Sequence, residues 1–308
     1  MDPIEADGAL EAGRFARSSS RVFSFVIVGT AYVLAATLLF WILSLPAAVQ
    51  VAPLSLMART LVADLAATVL VFAVSLLFDN SSVYDPYWSV FPPLIYLAWI
   101  TSGSNNLTLR AALVLVLAWL WGTRLTANWV VGWSGLQDED WRYRDFRAKT
   151  GPAYWIVSLF AIHLFPTLAV FAGSLPLYFV LALPGAPLSI LDFVAVLVTL
   201  SAIVIEGTAD AQMKLFKRIR TGGVMVEGLW KYCRHPNYLG EMSFWLGMLL
   251  FGLAGGAPLW TAAGMIVMIG IFFGFSMPML EKKILRTRPE YRDVQRTVSL
   301  IIPRPPRR

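Results

Sequence analysis

Gly228-Leu-Trp-Lys-Tyr-Cys-Arg-His-Pro-Asn-Tyr-Leu-Gly-Glu241 packs aromatics, cations, an Asn, a Glu and three helix punctuators into fourteen residues between two hydrophobic runs. His235 precedes Pro236 and is pushed toward extended geometry, while Gly228 and Gly240 let the backbone bend or approach a ligand. A loop with only a structural task needs no such mixture. The stretch therefore reads as a half-buried binding segment at a membrane face.

The rest of the chain supplies the membrane. Of 308 residues, 57% are hydrophobic and 14% charged, and the mean hydropathy is +0.65. A soluble domain carries roughly 25% charged residues, so the expected class is an all-α integral membrane protein. One cysteine, Cys233, excludes an intramolecular disulfide framework and any multi-Cys metal site, and two histidines, His163 and His235, leave little for a His-based one; no metal is expected. The net charge of +6 sits on cations that flank apolar runs, and no nucleic-acid motif accompanies them, so topology explains them better than a nucleic-acid partner does.

Residues 1–21 form a polar arm expected to be disordered or to lie on the surface. The apolar run Val22 to Leu45 that follows is about 36 Å long as a helix, enough to cross a ~30 Å hydrocarbon core, and it lacks the small-residue cleavage site of a signal peptide. Further spans are expected at 60–78, 89–101, 109–126, 153–173, 188–208, 240–256 and 258–279, about eight in all. A broken helix past Pro176 leaves seven to ten open. With the N-terminus inside, the basic segments 209–239 and 280 onward fall on the same side as 79–88 and 127–152, which places both termini in the cytoplasm. The division that follows is a polar arm (1–21), an N-terminal transmembrane half on the substrate side (22–185), a C-terminal cofactor domain (186–303) and a basic tail (304–308).

Glu206 and Asp210 share a helix face at the end of the sixth span. A carboxylate at mid-membrane costs roughly 2.5–3.5 kcal/mol, so an idle lipid-facing pair is disfavoured. Either they meet Lys214 and Lys217 at the interface, or they form a polar wall for a ribose or adenine with Lys217 and Arg218 available to a phosphate. Arg234, His235, Asn237, Tyr238 and Glu241 come next: Asn237 and Glu241 face a cofactor from the start of the seventh helix, or Asn237 caps that helix and Tyr238 anchors it at the interface. Asp85-Pro-Tyr87-Trp88 reads as a carboxylate and a phenol able to orient and protonate a substrate, or as a turn within an aromatic belt. Arg124 and Asn128, on one face at the inner end of the fourth span, either face a ligand or merely snorkel, and Trp121 reads as part of an aromatic belt or core. His163, mid-span among apolar residues, reads as a packing histidine. Glu281, Lys282 and Arg286 belong to a basic amphipathic helix that lies on anionic lipid or folds back on the cofactor site.

The 228–241 stretch, preceded by Glu206-x-x-x-Asp210 and followed by Glu281, Arg288-Pro-x-Tyr291 and Ile302-Pro303, resembles the C-terminal domain of the steroid 5-alpha-reductase superfamily, nearest its bacterial branch of uncharacterised membrane proteins. The resemblance is specific over about residues 200–303. It implies a bacterial inner-membrane reductase that holds NADPH in a pocket open to the cytoplasm and reduces a conjugated carbon–carbon double bond of a sterol-like or other lipidic ketone. Carried over, Glu206, Asp210, Asn237 and Glu241 would contact the dinucleotide and Lys217 a phosphate; the reading of the residues themselves adds Arg218, Arg234, His235, Tyr238, Glu281 and Lys282 as cofactor candidates. Trp121 falls near the Tyr that the steroid reductases use with a Glu to hold the substrate carbonyl, and Asp85 and Tyr87 are the candidates to replace that pair. Trp88, Trp121, Arg124 and Asn128 are the expected substrate contacts. Arg-His-Pro-x-Tyr-x-Gly also occurs in isoprenylcysteine and phospholipid methyltransferases, so an S-adenosylmethionine enzyme is the alternative, and a non-catalytic lipid-binding protein a second. Membrane lipids and a lipidic small molecule are the expected partners; no oligomeric state follows.

Overall fold

The computed structural model describes residues 3–46, 55–104, 107–220 and 222–306, with side chains from Ser20 onward. Twelve α-helices follow in chain order among the described residues: α1 Pro3–Ser44, α2 Leu56–Leu77, α3 Tyr87–Ser102, α4 Leu109–Gly132, α5 Trp141–Thr150, α6 Tyr154–Val157, α7 Phe165–Leu181, α8 Ile190–Ile219, α9 Pro236–Ala254, α10 Ala263–Ile271, α11 Met277–Thr287 and α12 Tyr291–Thr297. π-helical turns at Ser158–Leu164 and Phe272–Ser276 join α6 to α7 and α10 to α11. No strand occurs among the described residues, only an isolated bridge between Cys233 and Ser299.

Among the described residues, six segments are long and apolar enough to cross a membrane: Ser20–Ser44, Leu56–Leu77, Leu109–Gly132, Trp141–Leu181, Ile190–Ile219 and Leu259–Thr287. The other two expected spans form as α3 and α9 but fall outside this set. The first is a 16-residue helix, and the second carries Asn237 and Glu241 in its opening turns. Helix α1 already begins at Pro3, ahead of the apolar run, so the backbone of the polar arm is helical from that residue.

The chain divides into two compact units. Unit 1 comprises 1–98 and 125–168. In it α2 turns a stripe of Thr60, Ala63, Asp64, Ala67, Thr68, Val71 and Ser75 inward, small enough for close packing with α1. The turn after α2 holds the 133–140 loop: Asn80 donates to the carbonyls of Leu136 and Asp138, and the Ser81 N–H donates to Glu139. His163 is fully buried with both ring nitrogens engaged, Nε2 by the Ser75 hydroxyl and Nδ1 by the Ser158 carbonyl, as a packing histidine requires.

Unit 2 comprises 99–124 and 169–308, so residues 99–124 and 169–185 pack with the C-terminal part of the chain. Its centre is the α8–α9 pair. Helix α8 presents Ala195, Thr199, Ala202, Glu206 and Ala209 inward and points Ile190, Phe193, Leu197 and Val204 outward. Helix α9 answers with glycines. A Cβ at Gly240 would lie 2.5 Å from the Glu206 Cβ and 2.9 Å from the Ala202 carbonyl, and one at Gly247 would meet Thr199. Large side chains on one face and small ones on the other suit a lipid-exposed helix packed closely on its neighbour. At the start of α4, buried Arg110 grips Asp192 with two nitrogens and donates to the carbonyls of Ala186 and Pro187, fixing the approach to α8.

Gly240→Ala should therefore lower stability by about 1–3 kcal/mol through forced separation of α8 and α9. Thermal melting in detergent checks this. A melting point equal to that of an outward-facing control, Leu246→Ala, would mean the helices are not in such close contact.

Candidate functional site

In unit 2 the two acids of α8 share one cation. Their four-residue spacing stacks them on one face, and Arg124 of α4 reaches both, with Nη2 2.6 Å from Glu206 Oε2 and Nη1 3.0 Å from Asp210 Oδ2. Arg124 therefore makes the close ion pairs that the interfacial alternative assigned to Lys214 and Lys217. Glu206 is 5% exposed, and removing such a charge from water is tolerable only with a well-placed partner.

Glu241 joins the cluster from α9. One carboxylate oxygen accepts from the indole N–H of Trp121 and the other from that of Trp245, both at 2.9 Å. Trp121 is held flat against Phe244, with ring centroids 4.2 Å apart. Asn237 lies one turn before Glu241, and its Oδ1 is buried with no partner among the described residues; the Arg124 Nε is in the same condition. Sequence spacing had put Glu206, Asp210, Asn237 and Glu241 on two faces, and the contact of Gly240 with Glu206 brings those faces together.

The remaining cofactor candidates divide in two. Arg234, His235 and Glu281 hold one another: the Glu281 carboxylate accepts from His235 Nε2 at 3.0 Å, Arg234 at 2.8 Å, the Tyr291 hydroxyl at 3.1 Å and Gln295 at 2.8 Å. This clamp ties the opening of α9 to α11 and α12. Burial, reinforced by Glu281, pushes the Tyr291 phenol above its usual range, and burial pushes the Cys233 thiol up to about 11. Tyr238 stacks on the His235 ring and leans on Phe272. Lys217, Arg218 and Lys282 are exposed.

Asp85, Tyr87, Trp88 and Asn128 belong to unit 1. Asp85 and Tyr87 do not pair with each other. Tyr87, 1% exposed and stacked between Phe91 and Tyr84, donates to Asp64 Oδ1 at 2.8 Å, whereas Asp85 accepts from the Tyr143 hydroxyl at 2.6 Å. Asp85 precedes α3 and is met by α5, while the first residue of α3 is turned onto α2. Asp64 is the residue the motif does not reveal; its signal is a carboxylate inside a 22-residue apolar helix, a placement that is costly unless used. Trp88 and Asn128 are half-buried. Burial first, then the charge of Asp140, pushes the Asp85 carboxyl up to about 7 against the opposing pull of Arg142, Tyr143 and Ser82.

Residues 71–298 match the family described as "Protein of unknown function (DUF1295)". The chain belongs to this family. It is a family of steroid 5-alpha-reductase-like proteins, which agrees at that level with the resemblance carried by the 228–241 stretch. A relative from Schizosaccharomyces pombe, "Uncharacterized protein C594.04c", is 28% identical over 265 residues, covering 76% of this chain and 75% of its own. No solved structure matches the chain.

Arg124→Ala should cost about 3–5 kcal/mol, because it leaves two acids of α8 without their cation. Adding Glu206→Gln and Asp210→Asn should recover much of that loss. Equal melting points for the single and triple variants would contradict the shared-cation arrangement. Asp85 gives a pH signature. With its folded pKa raised from 3.8 to about 7, the folded chain binds the extra proton between those values, so this stabilising contribution is complete below about pH 4 and lost as pH rises through 7. Melting point should fall between pH 5 and 8, on the order of 5 °C. Asp85→Asn should flatten that slope, and an unchanged slope would contradict the assignment.

Proposed function

We propose that the chain is a membrane-embedded, NADPH-dependent reductase of a conjugated carbon–carbon double bond in a lipidic ketone. The observation that carries this reading is the cluster in unit 2. There Arg124 pairs with Glu206 and Asp210, and Glu241 accepts from Trp121, while Asn237 Oδ1 and Arg124 Nε stay buried and, among the described residues, unpartnered. A buried unpartnered acceptor and a buried unpartnered donor in the same unit fit a ligand rich in amide and hydroxyl groups, such as the carboxamide and ribose of a dinucleotide. Asn237, Asp210, Glu206 and Arg124 would hold it, and exposed Lys217 and Arg218 would meet its phosphates. When bound, NADPH supplies the hydride.

Unit 1 holds a buried pair of its own, in which the Tyr87 hydroxyl donates to Asp64 Oδ1. Burial makes that hydrogen bond worth more than it would be in water. A carboxylate and a phenol so joined parallel the Glu and Tyr that the resemblance implies, whereas Asp85 pairs with Tyr143. Both termini and the 228–241 stretch would face the cytoplasm. The fungal relative makes a function confined to bacterial inner membranes a narrower reading than the family supports.

The S-adenosylmethionine alternative keeps a basis in the Arg-His-Pro segment, whose Arg234 and His235 are occupied by Glu281. Calorimetry on the detergent-purified chain separates the two. NADPH should bind, and Asn237→Ala should weaken it about tenfold or more, consistent with loss of one buried hydrogen bond to a ligand. Tyr87→Phe should leave NADPH affinity unchanged. Binding of S-adenosylmethionine in place of NADPH would reject the reductase.

A further inference from the structure

The chain carries 25 Lys and Arg against 19 Asp and Glu, yet fifteen of those cations and only six of the acids lie from residue 209 onward, leaving ten and thirteen before it. The positive charge of the protein is therefore a property of its last third. In the structure that third gathers it at one end of unit 2. The Leu229 N–H donates to Gln212 Oε1 and the Trp230 indole to the Ala209 carbonyl, tying the turn Gly228–Lys231 to the end of α8. Arg234 N–H donates to the Ser299 carbonyl and Arg304 N–H to that of Tyr232, tying in the C-terminal segment, and the Glu281 clamp adds α11 and α12.

Arg218, Lys231, Lys282, Arg286, Arg292 and Arg304 are exposed on this end, and no acid pairs with them among the described residues. Arg220 and Arg296 do have acidic partners, but in exposed pairs that neutralise little. Such a run of cations is most often a solvated face. Here, however, large apolar side chains stand exposed among them: Leu215 and Ile219 beside Lys217 and Arg218, Tyr232 beside Lys231, and Ile302 beside Arg304. Two membrane-length segments, Ile190–Ile219 and Leu259–Thr287, also finish at this end. Cations mixed with exposed apolar side chains at the ends of spans match a headgroup layer, where the apolar groups meet acyl chains and the cations meet phosphates.

We infer that this end of unit 2 is a docking surface for anionic phospholipid, centred on Lys231, Lys282, Arg286, Arg292 and Arg304, distinct from the Arg124–Glu206–Asp210–Glu241 cluster and, at those five cations, independent of the reductase reading. The full chain would be reconstituted in vesicles of phosphatidylcholine alone or with a minority of phosphatidylglycerol. The melting point should be higher with phosphatidylglycerol, and the gain should vanish in high salt and in a Lys282→Gln, Arg286→Gln, Arg292→Gln variant. The matching Lys282→Arg, Arg286→Lys, Arg292→Lys variant should keep the gain, which separates lost charge from lost folding. Equal melting points in both lipids would overturn the inference. So would an equal gain from inorganic phosphate added to phosphatidylcholine vesicles, which would indicate a soluble phosphate site.

Discussion

The ion pairs of Arg124 with Glu206 and Asp210 are the constraint on which unit 2 depends. An acid on an otherwise lipid-facing helix is tolerable only if it faces protein and finds a cation. That requirement fixes the rotation of α8, with its small residues and its acids turned inward together. Once α8 is so turned, α9 can approach only where it has no side chain, which accounts for Gly240 against Glu206 and Gly247 against Thr199. The close approach then brings Glu241 to Glu206 and Asn237 beside them. The two tryptophans that bind Glu241 close the far side of the cluster.

A second polar constraint shapes the C-terminal end. Glu281 accepts from four residues, and through them α11, α12 and the opening of α9 are held as one body. The Arg-His-Pro segment thereby acquires a structural duty that a motif-level view assigns wholly to ligand binding. The Oδ1 of Asn237, immediately after it, has no such partner among the described residues. The division between residues already satisfied and residues still able to bind falls within three positions of one another.

Much of this was legible from the amino-acid order. The four-residue spacing of Glu206 and Asp210 announced a shared face, the 228–241 stretch announced the family, and the isolation of His163 among apolar residues announced a packing role. The partners were not legible, because they come from helices far away in sequence. Arg124 meets acids 82 and 86 positions later, and Tyr87 bonds to Asp64 across a turn instead of to the adjacent motif residue Asp85. Local order places a side chain on a face; which group meets it depends on how the helices pack. The helices α3 and α9 show the same limit, since both form where expected while a short length or embedded polar residues set them apart from the six apolar spans.

The central claim is hydride transfer to a lipidic ketone, and isotope transfer tests it most directly. Membranes containing the chain would be given NADPH deuterated at the transferable position together with a conjugated ketone soluble in the bilayer, and the product examined by mass spectrometry. The account predicts a saturated ketone carrying one deuterium at its β-carbon. Recovery of unlabelled starting ketone from membranes in which the chain is folded and binds NADPH would contradict it.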